Sequence, residues 1–345
     1  MTAISLSEWP TQDLEAVSAC PACDSGYRNL LYEGLTDLVF FCAQGKWQLY
    51  KCKECGSAYL DPRPTPETIG RTYANYYTHS SESLADMSLC RRLRRSLENG
   101  YLNRKYGTRE SPFLSWGYWL VRLLPGQRAT ADATMRHLPR PKPGNRLLDI
   151  GCGNGDFLAR AKDGGWEVEG VEPDPVAAEV ARARGLNVHV GTVAAVRNQY
   201  ESFDGITLSH VVEHVYDSAA LLRECYKLLK PGGWIWIETP NIESLGNKRF
   251  GKNWRGLEPP RHLLIFNRSS LLRSLAKAGF TGMTDMPYRG LYLSLSAASE
   301  AMRLGLDPAE ARPTMLSRAK SIIPSFKARH NLGVREFVTV RAKKP

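Results

Sequence analysis

Short apolar runs alternate with amphipathic stretches over the C-terminal half of the chain. The apolar runs have the length of strands, and they occupy residues 147–150, 166–171, 187–190, 204–209 and 234–238. Between the runs, apolar residues recur at helical spacing, as at Leu221, Leu222 and Cys225. Strands that alternate with helices predict right-handed crossovers and a parallel sheet, with ligands at the carboxyl ends of the strands.

The pattern extends on both sides of these five strands. Residues 281–288 predict a sixth strand, 334–341 predict a last, antiparallel strand, and 291–331 predict a mostly helical insertion between them. Apolar residues spaced by four predict helices within residues 84–125. We therefore expect three parts: an N-terminal domain at 1–75, a basic helical linker or lid at 76–143, and the sheet domain at 144–345.

A glycine-rich turn follows the first strand of the sheet. Gly151, Gly153 and Gly155 permit positive φ angles and a close approach of the backbone to a ligand, which the amides of the next helix also face. Asp149 lies on the strand just before the turn. Glu172 ends the second strand, where a carboxylate can accept hydrogen bonds from a ribose diol.

The turn is the first of several blocks with a recognisable order. These blocks are residues 149–155 with Glu172, then 209–215, 229–233 and 238–241. Over roughly residues 145–285 they resemble the class I S-adenosylmethionine-dependent methyltransferases in order and spacing. A nicotinamide-binding domain would instead have its third glycine at the position of Asp156. The resemblance implies an α/β, Rossmann-like sheet of seven strands whose last strand is antiparallel.

The resemblance also implies S-adenosylmethionine as the cofactor. The expected contacts come from the glycine turn, the end of the second strand, the residue after the third strand where adenine would lie, and the end of the fourth strand. These cofactor-binding candidates are Asp149, Gly151, Gly153, Gly155, Glu172, Pro173, Thr192, Ser209 and His210.

Four of the eight cysteines form two Cys-x-x-Cys pairs in the N-terminal domain. The pairs are Cys20 with Cys23, and Cys52 with Cys55. Four thiolates complete a closed tetrahedral shell, so the spacing predicts one structural zinc in a ribbon-like domain. A redox-active pair would need a βαβ setting, which this stretch lacks. Short strands are expected between the pairs, at residues 38–43 and 47–51.

A proline-rich segment at 62–66 leads from the cysteine pairs to a tyrosine cluster. A zinc ribbon, a proline turn and a tyrosine cluster ahead of the cofactor domain resemble sugar methyltransferases of surface-glycan and antibiotic-sugar pathways. The resemblance implies that a tyrosine of this region, Tyr76 or Tyr77, reaches over the substrate. The alternative is aromatic packing between the two domains.

Histidines follow the fourth and fifth strands at the same edge of the sheet. By resemblance to the sugar methyltransferases, a histidine on the loop 253–263 serves as the general base, and His262 is the matching residue. His214 is the second candidate, and Glu213 could orient either ring. The alternatives are a hydrogen bond that holds the loop closed for His262 and a helix cap for His214.

The composition is ordinary for a globular protein, but the charge is uneven. Of the net charge of +11, most lies in residues 89–146, which hold thirteen Lys and Arg against three acidic residues. A basic face attracts the phosphates of nucleic acid, of a sugar nucleotide or of an anionic lipid surface. A solvated helix face with no ligand is the alternative.

An apolar run at residues 113–124 adjoins the basic residues and is too short to span a bilayer. Peripheral membrane contact through residues 89–125, a lid over an apolar acceptor, a dimer face and simple packing all fit this pattern. Residues 1–10 lack a basic start and an apolar core, so we expect no secretory signal. The expected location is cytoplasmic, with the inner membrane surface as the alternative.

The sequence therefore favours O-methylation of a sugar hydroxyl, on a nucleotide-linked or lipid-linked glycan, with histidine as general base. Methylation of another small metabolite, such as a phenol or a polyketide, is the second interpretation. RNA methylation is the third, although the cysteine pairs carry few basic or aromatic residues and so argue against a nucleic-acid partner. The non-enzymatic alternative is a cofactor-binding interaction protein, which the intact glycine turn and the histidines oppose.

Overall fold

The computed structural model describes residues 9–73 and 88–345. Its strands are β1 (Leu14–Glu15), β2 (Arg28–Leu35), β3 (Trp47–Cys52), β4 (Ala58–Leu60), β5 (Arg63–Pro64), β6 (Arg146–Ile150), β7 (Glu167–Glu172), β8 (Asn187–Val190), β9 (Phe203–Ser209), β10 (Leu229–Pro240), β11 (Leu264–Ile265), β12 (Thr281–Asp285) and β13 (Phe337–Lys343). Its α-helices are α1 (Leu89–Tyr106), α2 (Gly117–Leu123), α3 (Pro125–Thr134), α4 (Asp156–Asp163), α5 (Pro175–Ala183), α6 (Ser218–Leu228), α7 (Leu245–Phe250), α8 (Arg268–Lys277), α9 (Tyr292–Arg303) and α10 (Met315–His330).

Seven strands form the main sheet, in the order β8, β7, β6, β9, β10, β13, β12. β13 runs antiparallel to both of its neighbours, β10 and β12, while the remaining pairs are parallel. The fold expected from the sequence, a Rossmann-like seven-stranded sheet with an antiparallel last strand, is therefore confirmed. Leu148, Ile206 and Ile237 on the central strands are fully buried, as expected for parallel strands covered on both faces.

Polar caps fix where the crossover helices begin. Asp174, Asp217 and Asn267 accept hydrogen bonds from backbone amides in the first turns of α5, α6 and α8. Each helix returns the chain so that the next parallel strand points the same way. The ends of β6, β7, β9 and β10 consequently lie together at one edge of the sheet.

A second sheet joins the N-terminal segment to the main domain, in the order β11, β4, β3, β2. β11 belongs to the chain that follows β10, and its Leu264 pairs with Tyr59 of β4. The amide of Leu60 also donates to the carbonyl of Leu263, at 3.1 Å. The N-terminal segment therefore packs directly on the end of the loop 253–263.

The prediction of a strand at residues 38–43 is wrong, because these residues form no strand. The carboxylate of Asp37 accepts hydrogen bonds from four backbone amides between residues 39 and 43. An aspartate that caps several following amides offers the backbone an alternative to strand pairing. The partner of β3 is instead β2, which lies before this segment.

Helices α1, α2 and α3 cover the sheet with one apolar cluster, in which Tyr101 and Val121 pack with Leu147 of β6. Part of the basic stretch is neutralised within the fold. The ion pairs are Lys105 with Asp132, Arg136 with Asp149, and Arg146 with Glu169. The charge of residues 89–146 is therefore not a single exposed face.

Two helices, α9 and α10, occupy the chain between β12 and β13 and pack on each other. Among the described residues, no helix combines the length and the apolarity that crossing a bilayer requires.

Candidate cofactor and acceptor site

The glycine turn lies between β6 and α4, and its three glycines have positive φ angles. A Cβ on Gly151 would lie 2.7 Å from Val211, and a Cβ on Gly155 would lie 2.4 Å from Leu186. A Cβ on Gly153 would meet no atom of the described residues within 4 Å. Gly151 and Gly155 are therefore required by packing, whereas Gly153 faces open space that a ligand can enter.

Glu172 at the end of β7 stabilises this turn through hydrogen bonds from the backbone of the turn and from the residues that follow β7. Its carboxylate accepts a hydrogen bond from the Gly153 amide at 2.7 Å and another from the Asp174 amide at 3.0 Å. Burial raises the pKa of Glu172, and these two amides oppose that rise. Pro173 follows on the surface, and Thr192 caps the short helical turn that begins after β8. The second and third strands thus bring their predicted residues to the edge where Gly153 is open.

Asp149 lies beneath the turn rather than in the open space. Its carboxylate is fully buried and accepts hydrogen bonds from Arg136 and from the Thr207 hydroxyl. Burial raises the pKa of Asp149, and the charge of Arg136 opposes that rise. The Arg136 guanidinium also lies over the ring of Phe157, 3.9 Å from its centroid. This buried ion pair connects the segment after α3 to the floor of the turn.

His210 follows Ser209 at the end of β9 and lies between two carboxylates. Its Nδ1 is 3.2 Å from Glu213, and its Nε2 is 3.6 Å from Glu238. Burial disfavours charge on this ring, but the hydrogen bonds to the two carboxylates outweigh burial and raise its pKa to about 9. His210 is therefore a cation at neutral pH, held beside the sheet edge.

His214 and His262 form a close pair, with ring centroids 4.8 Å apart. Nδ1 of His262 is 2.9 Å from the Gly256 carbonyl, and Nδ1 of His214 is 3.0 Å from the Arg261 carbonyl. Because a carbonyl only accepts, each Nδ1 carries a proton and each Nε2 keeps its lone pair in the neutral ring. Burial lowers the pKa of His262 to about 4. His262 is only 4% exposed, whereas His214 is half-buried.

Glu213 lies behind the pair and is fully buried. Burial raises its pKa, but its hydrogen bond to His210 outweighs this and holds the pKa below its usual value. Its second oxygen accepts from the Thr239 hydroxyl at 2.9 Å. The ligand atoms of Glu213, His214 and His262 all lie within 4.8 Å of one another, so the three groups could also hold a divalent cation.

A buried ion pair fixes the loop that carries His262. Arg261 is fully buried, and its guanidinium donates to both oxygens of Asp37, at 2.5 and 3.1 Å. It also donates to the Thr72 carbonyl at 2.9 Å. Glu258 contributes a third carboxylate oxygen, 3.4 Å from Arg261 Nε. The N-terminal segment therefore determines the position of the residue next to His262.

Tyr77 and Tyr76 lie outside the described residues. The adjacent Tyr73 is described, and its hydroxyl is 3.1 Å from Nδ1 of His214. The tyrosine region thus reaches the histidine pair through at least one of its members.

The four paired cysteines converge at the base of the N-terminal sheet. The sulfurs of Cys20 and Cys55 are 3.6 Å apart, as are those of Cys23 and Cys52, and all four sulfurs lie within 4.8 Å of one another. A tetrahedral zinc with Zn–S bonds of about 2.3 Å places its sulfurs roughly 3.8 Å apart, so the cluster fits this ion. The carbonyl of Cys55 accepts from Asn267, which caps α8, and from Arg273 within that helix, which ties the cluster to the main domain.

Comparison with known proteins identifies the family of the main domain. Residues 125–284 match a family model described as a methyltransferase domain. A ubiquinone biosynthesis O-methyltransferase of Methylocella silvestris is 36% identical over 175 residues, which cover 45% of this chain and 67% of that protein. The enzyme of the same name from Albidiferax ferrireducens is 35% identical over 112 residues, covering 29% of this chain and 43% of that protein. The chain thus spans about two thirds of one relative and under half of the other.

A solved S-adenosylmethionine-dependent methyltransferase from Archaeoglobus fulgidus aligns with a TM-score of 0.45 and 23% identity, covering 66% of this chain and 99% of that one. The family match, the Methylocella relative and the sheet order establish the class: the chain belongs to the class I S-adenosylmethionine-dependent methyltransferases. The open position above Gly153 and the carboxylate of Glu172 fit that cofactor.

Several residues of the site carry no signal that sequence analysis could use. Arg136 lies in a basic stretch and does not differ there from its neighbours, and Asp37 and Arg261 are distant in sequence. Only adjacency to His262 could have drawn attention to Arg261. Glu258 lies within the loop 253–263, where its spacing of four from His262 was the available hint.

Proposed function

We propose that the protein transfers a methyl group from S-adenosylmethionine to a hydroxyl, with a sugar hydroxyl of a nucleotide-linked or lipid-linked glycan as the first candidate. The observation that carries this proposal is the close pair of His214 and His262 at the sheet edge, each with Nδ1 held by a backbone carbonyl so that Nε2 keeps its lone pair when the ring is neutral. An alcohol must lose its proton as it attacks the methyl group, and a neutral imidazole is suited to accept that proton at neutral pH.

Exposure favours His214 over His262 as the ring that contacts the acceptor. A base must come within hydrogen-bond reach of the hydroxyl, and His262 is almost entirely covered. His262 would then support His214 from behind, and Glu213 would stabilise positive charge on the pair. Tyr73 contacts the same ring, which supports the proposal that Tyr77 or Tyr76 lies over the acceptor.

The cofactor would lie along the ends of β6, β7 and β9. Glu172 would accept hydrogen bonds from its ribose, the backbone at Gly153 would approach it, and Thr192 would lie near adenine. Ser209 and His210 would face its amino-acid end. When bound there, S-adenosylmethionine supplies an electrophilic methyl group on a sulfonium, and the protein's task is to align the hydroxyl behind that group.

A phenolic hydroxyl is the second candidate acceptor. The relatives named as ubiquinone biosynthesis O-methyltransferases favour it. A phenol is more acidic than an alcohol and depends less on a base, so the two candidates predict different sensitivity to loss of the histidines.

The test begins with a screen of nucleotide sugars, lipid-linked glycans and catechols for methyl transfer. With the acceptor found, His214→Ala should lower turnover by roughly 10²–10⁴ while leaving cofactor affinity nearly unchanged. His262→Ala should lower turnover less, because the buried ring acts through His214. Glu179→Ala, which removes an exposed acid from α5, is the control.

Three outcomes contradict this assignment. If His262→Ala is the crippled variant and His214→Ala is normal, the roles are reversed. If neither loses more than about tenfold, the enzyme works by positioning alone. If turnover after chelation returns only with added Mg²⁺ or Zn²⁺, the cluster of Glu213, His214 and His262 holds a metal instead.

We further propose that the cysteine cluster holds one structural zinc, in a domain formed by residues 1–75. The helical segment 76–143 and the methyltransferase domain 144–345, with its helical insertion at about 291–331, would complete the chain. The four thiolates and the short distances between their sulfurs support a structural ion, since a closed shell leaves no coordination position for a substrate.

A further inference from the structure

Helix α10 carries its large apolar side chains on the outside. Five of them are between 63% and 89% exposed: Met315, Leu316, Ile322, Ile323 and Phe326. The residues that α10 buries are the small Ser321 and Ala328. This is the reverse of a helix that packs its apolar face on a protein core.

The exposed side chains form one continuous face. At about 100° per residue, the five residues cover an arc of about 120° that lies opposite the buried small residues. Arg318 and Arg329 border the arc on one side, and Lys320 and Lys327 border it on the other, all four exposed. An apolar arc between two rows of cations is the pattern of a helix that lies in a membrane surface.

Charge indicates what covers this face. Residues 311–335 contain six Lys and Arg and no acidic residue. Long basic side chains at the border of an apolar face can extend to headgroups while their stems remain in the apolar layer. We propose that α10 is an interfacial helix that docks the protein on a bilayer containing anionic lipids.

A second copy of the chain fits this face less well. Two α10 helices packed face to face would bring their border cations together, without a carboxylate on either helix to pair with them. An anionic lipid surface supplies the missing negative charge.

Helix α10 leads into a strand that contacts the candidate site. The chain passes from α10 to β13, whose first residue, Phe337, pairs with Pro240 at the end of β10. The Phe337 ring lies 4.8 Å from the ring of His210, centroid to centroid. α10 therefore ends seven residues before Phe337, which contacts His210. The inference does not rest on the proposed acceptor, because binding is measured without one.

The exposed apolar surface on α1 and α2 is a weaker candidate. Its cations are partly engaged within the protein: Arg94 pairs with Glu98, and Arg104 lies over the rings of Tyr118 and Trp119. The cations that border the arc of α10 have no acidic residue on their own helix.

Co-sedimentation with vesicles tests the proposal. The full chain should bind vesicles of phosphatidylcholine mixed with phosphatidylglycerol, bind pure phosphatidylcholine weakly, and lose affinity as salt rises. Replacing Ile323→Ser together with Phe326→Ser should weaken binding at least about tenfold, because two exposed apolar side chains no longer enter the layer. Val176→Ser with Val180→Ser, on the exposed surface of α5, is the matched control and should bind normally.

A second variant pair keeps the test decisive if the serine variant does not fold. Lys320→Gln with Lys327→Gln should weaken binding to anionic vesicles and leave binding to pure phosphatidylcholine unchanged. The proposal is overturned if the wild-type chain does not bind anionic vesicles, or if both α10 variants bind as wild type. It is also overturned if Leu123→Ser on α2 abolishes binding while α10 variants do not. A dimer in sedimentation velocity that the serine variant converts to monomer would assign the face to self-association.

Discussion

Arg136 and His137 show how single residues position the cofactor turn from outside it. Both have positive φ angles, of 48° and 52°, and the bend they form directs the Arg136 guanidinium to the buried carboxylate of Asp149. Sequence analysis identified Asp149 and the glycines, because a strand followed by closely spaced glycines is a local pattern. It could not identify Arg136, because a buried ion pair depends on where two distant segments meet.

His137 gives a pH dependence to the stability of this bend. Burial lowers the pKa of His137 to about 4, with Arg341 and Lys105 acting in the same direction and Asp132 opposing. The unfolded chain then binds a proton near the ordinary histidine pKa of about 6.5 that the folded chain does not bind. The contribution of His137 to the free energy of unfolding is therefore fully present above about pH 6.5, and it is lost as pH falls toward 4.

The free energy of unfolding should be lower at about pH 5 than at about pH 7 in both proteins. We predict that this fall is roughly 1–2 kcal/mol larger in wild type than in His137→Asn. Asparagine does not titrate and tolerates a positive φ, so the variant keeps the bend. Denaturant unfolding at both pH values measures the difference. Parallel pH dependence in the two proteins would show that His137 is not held neutral.

At the scale of elements, the strands and helices of the main sheet were predictable because each follows a periodic apolar pattern bounded by caps and glycines. β8 was predicted with its observed bounds, and β9 to within about one residue at its start. The strand expected at 38–43 failed because the Asp37 side chain competes for the backbone amides. The connection of β11 to β4 was also not predicted, since no local pattern specifies which distant strand a two-residue segment joins.

Loss of the cysteine cluster should separate cofactor binding from turnover. We predict about one zinc per chain in metal analysis, lost in Cys52→Ser and retained in Cys90→Ser, which replaces an exposed cysteine outside the cluster. Cys52→Ser should unfold at lower temperature and bind S-adenosylmethionine nearly as wild type, because the cofactor turn lies elsewhere. Its turnover should fall, because the cluster and β4 support the loop of His262.

Two results would contradict this prediction. Purified protein without metal, or with a disulfide within either cysteine pair, would refute a zinc site. If Cys52→Ser lost cofactor affinity as strongly as it lost turnover, the N-terminal segment would support the whole fold and not the loop in particular.

At the scale of the whole molecule, the chain is a seven-stranded methyltransferase sheet. Segments from outside the sheet complete the site at the carboxyl ends of its strands. The order of the sheet was predictable from the family resemblance, and local patterns alone would have left it open. The N-terminal segment contributes Asp37 and Tyr73 to the surroundings of the histidine pair. The C-terminal segment contributes Phe337 beside His210 and the exposed helix α10.

The most direct test of this account is calorimetric titration with S-adenosylmethionine. Wild-type protein should bind one equivalent. Glu172→Ala should weaken binding by roughly 2–4 kcal/mol, because it removes hydrogen bonds to the ribose and the brace on Gly153. Glu179→Ala, which removes an exposed acid from neighbouring α5, should bind as wild type. Unchanged affinity in Glu172→Ala would contradict the placement of the cofactor at the ends of β6 and β7.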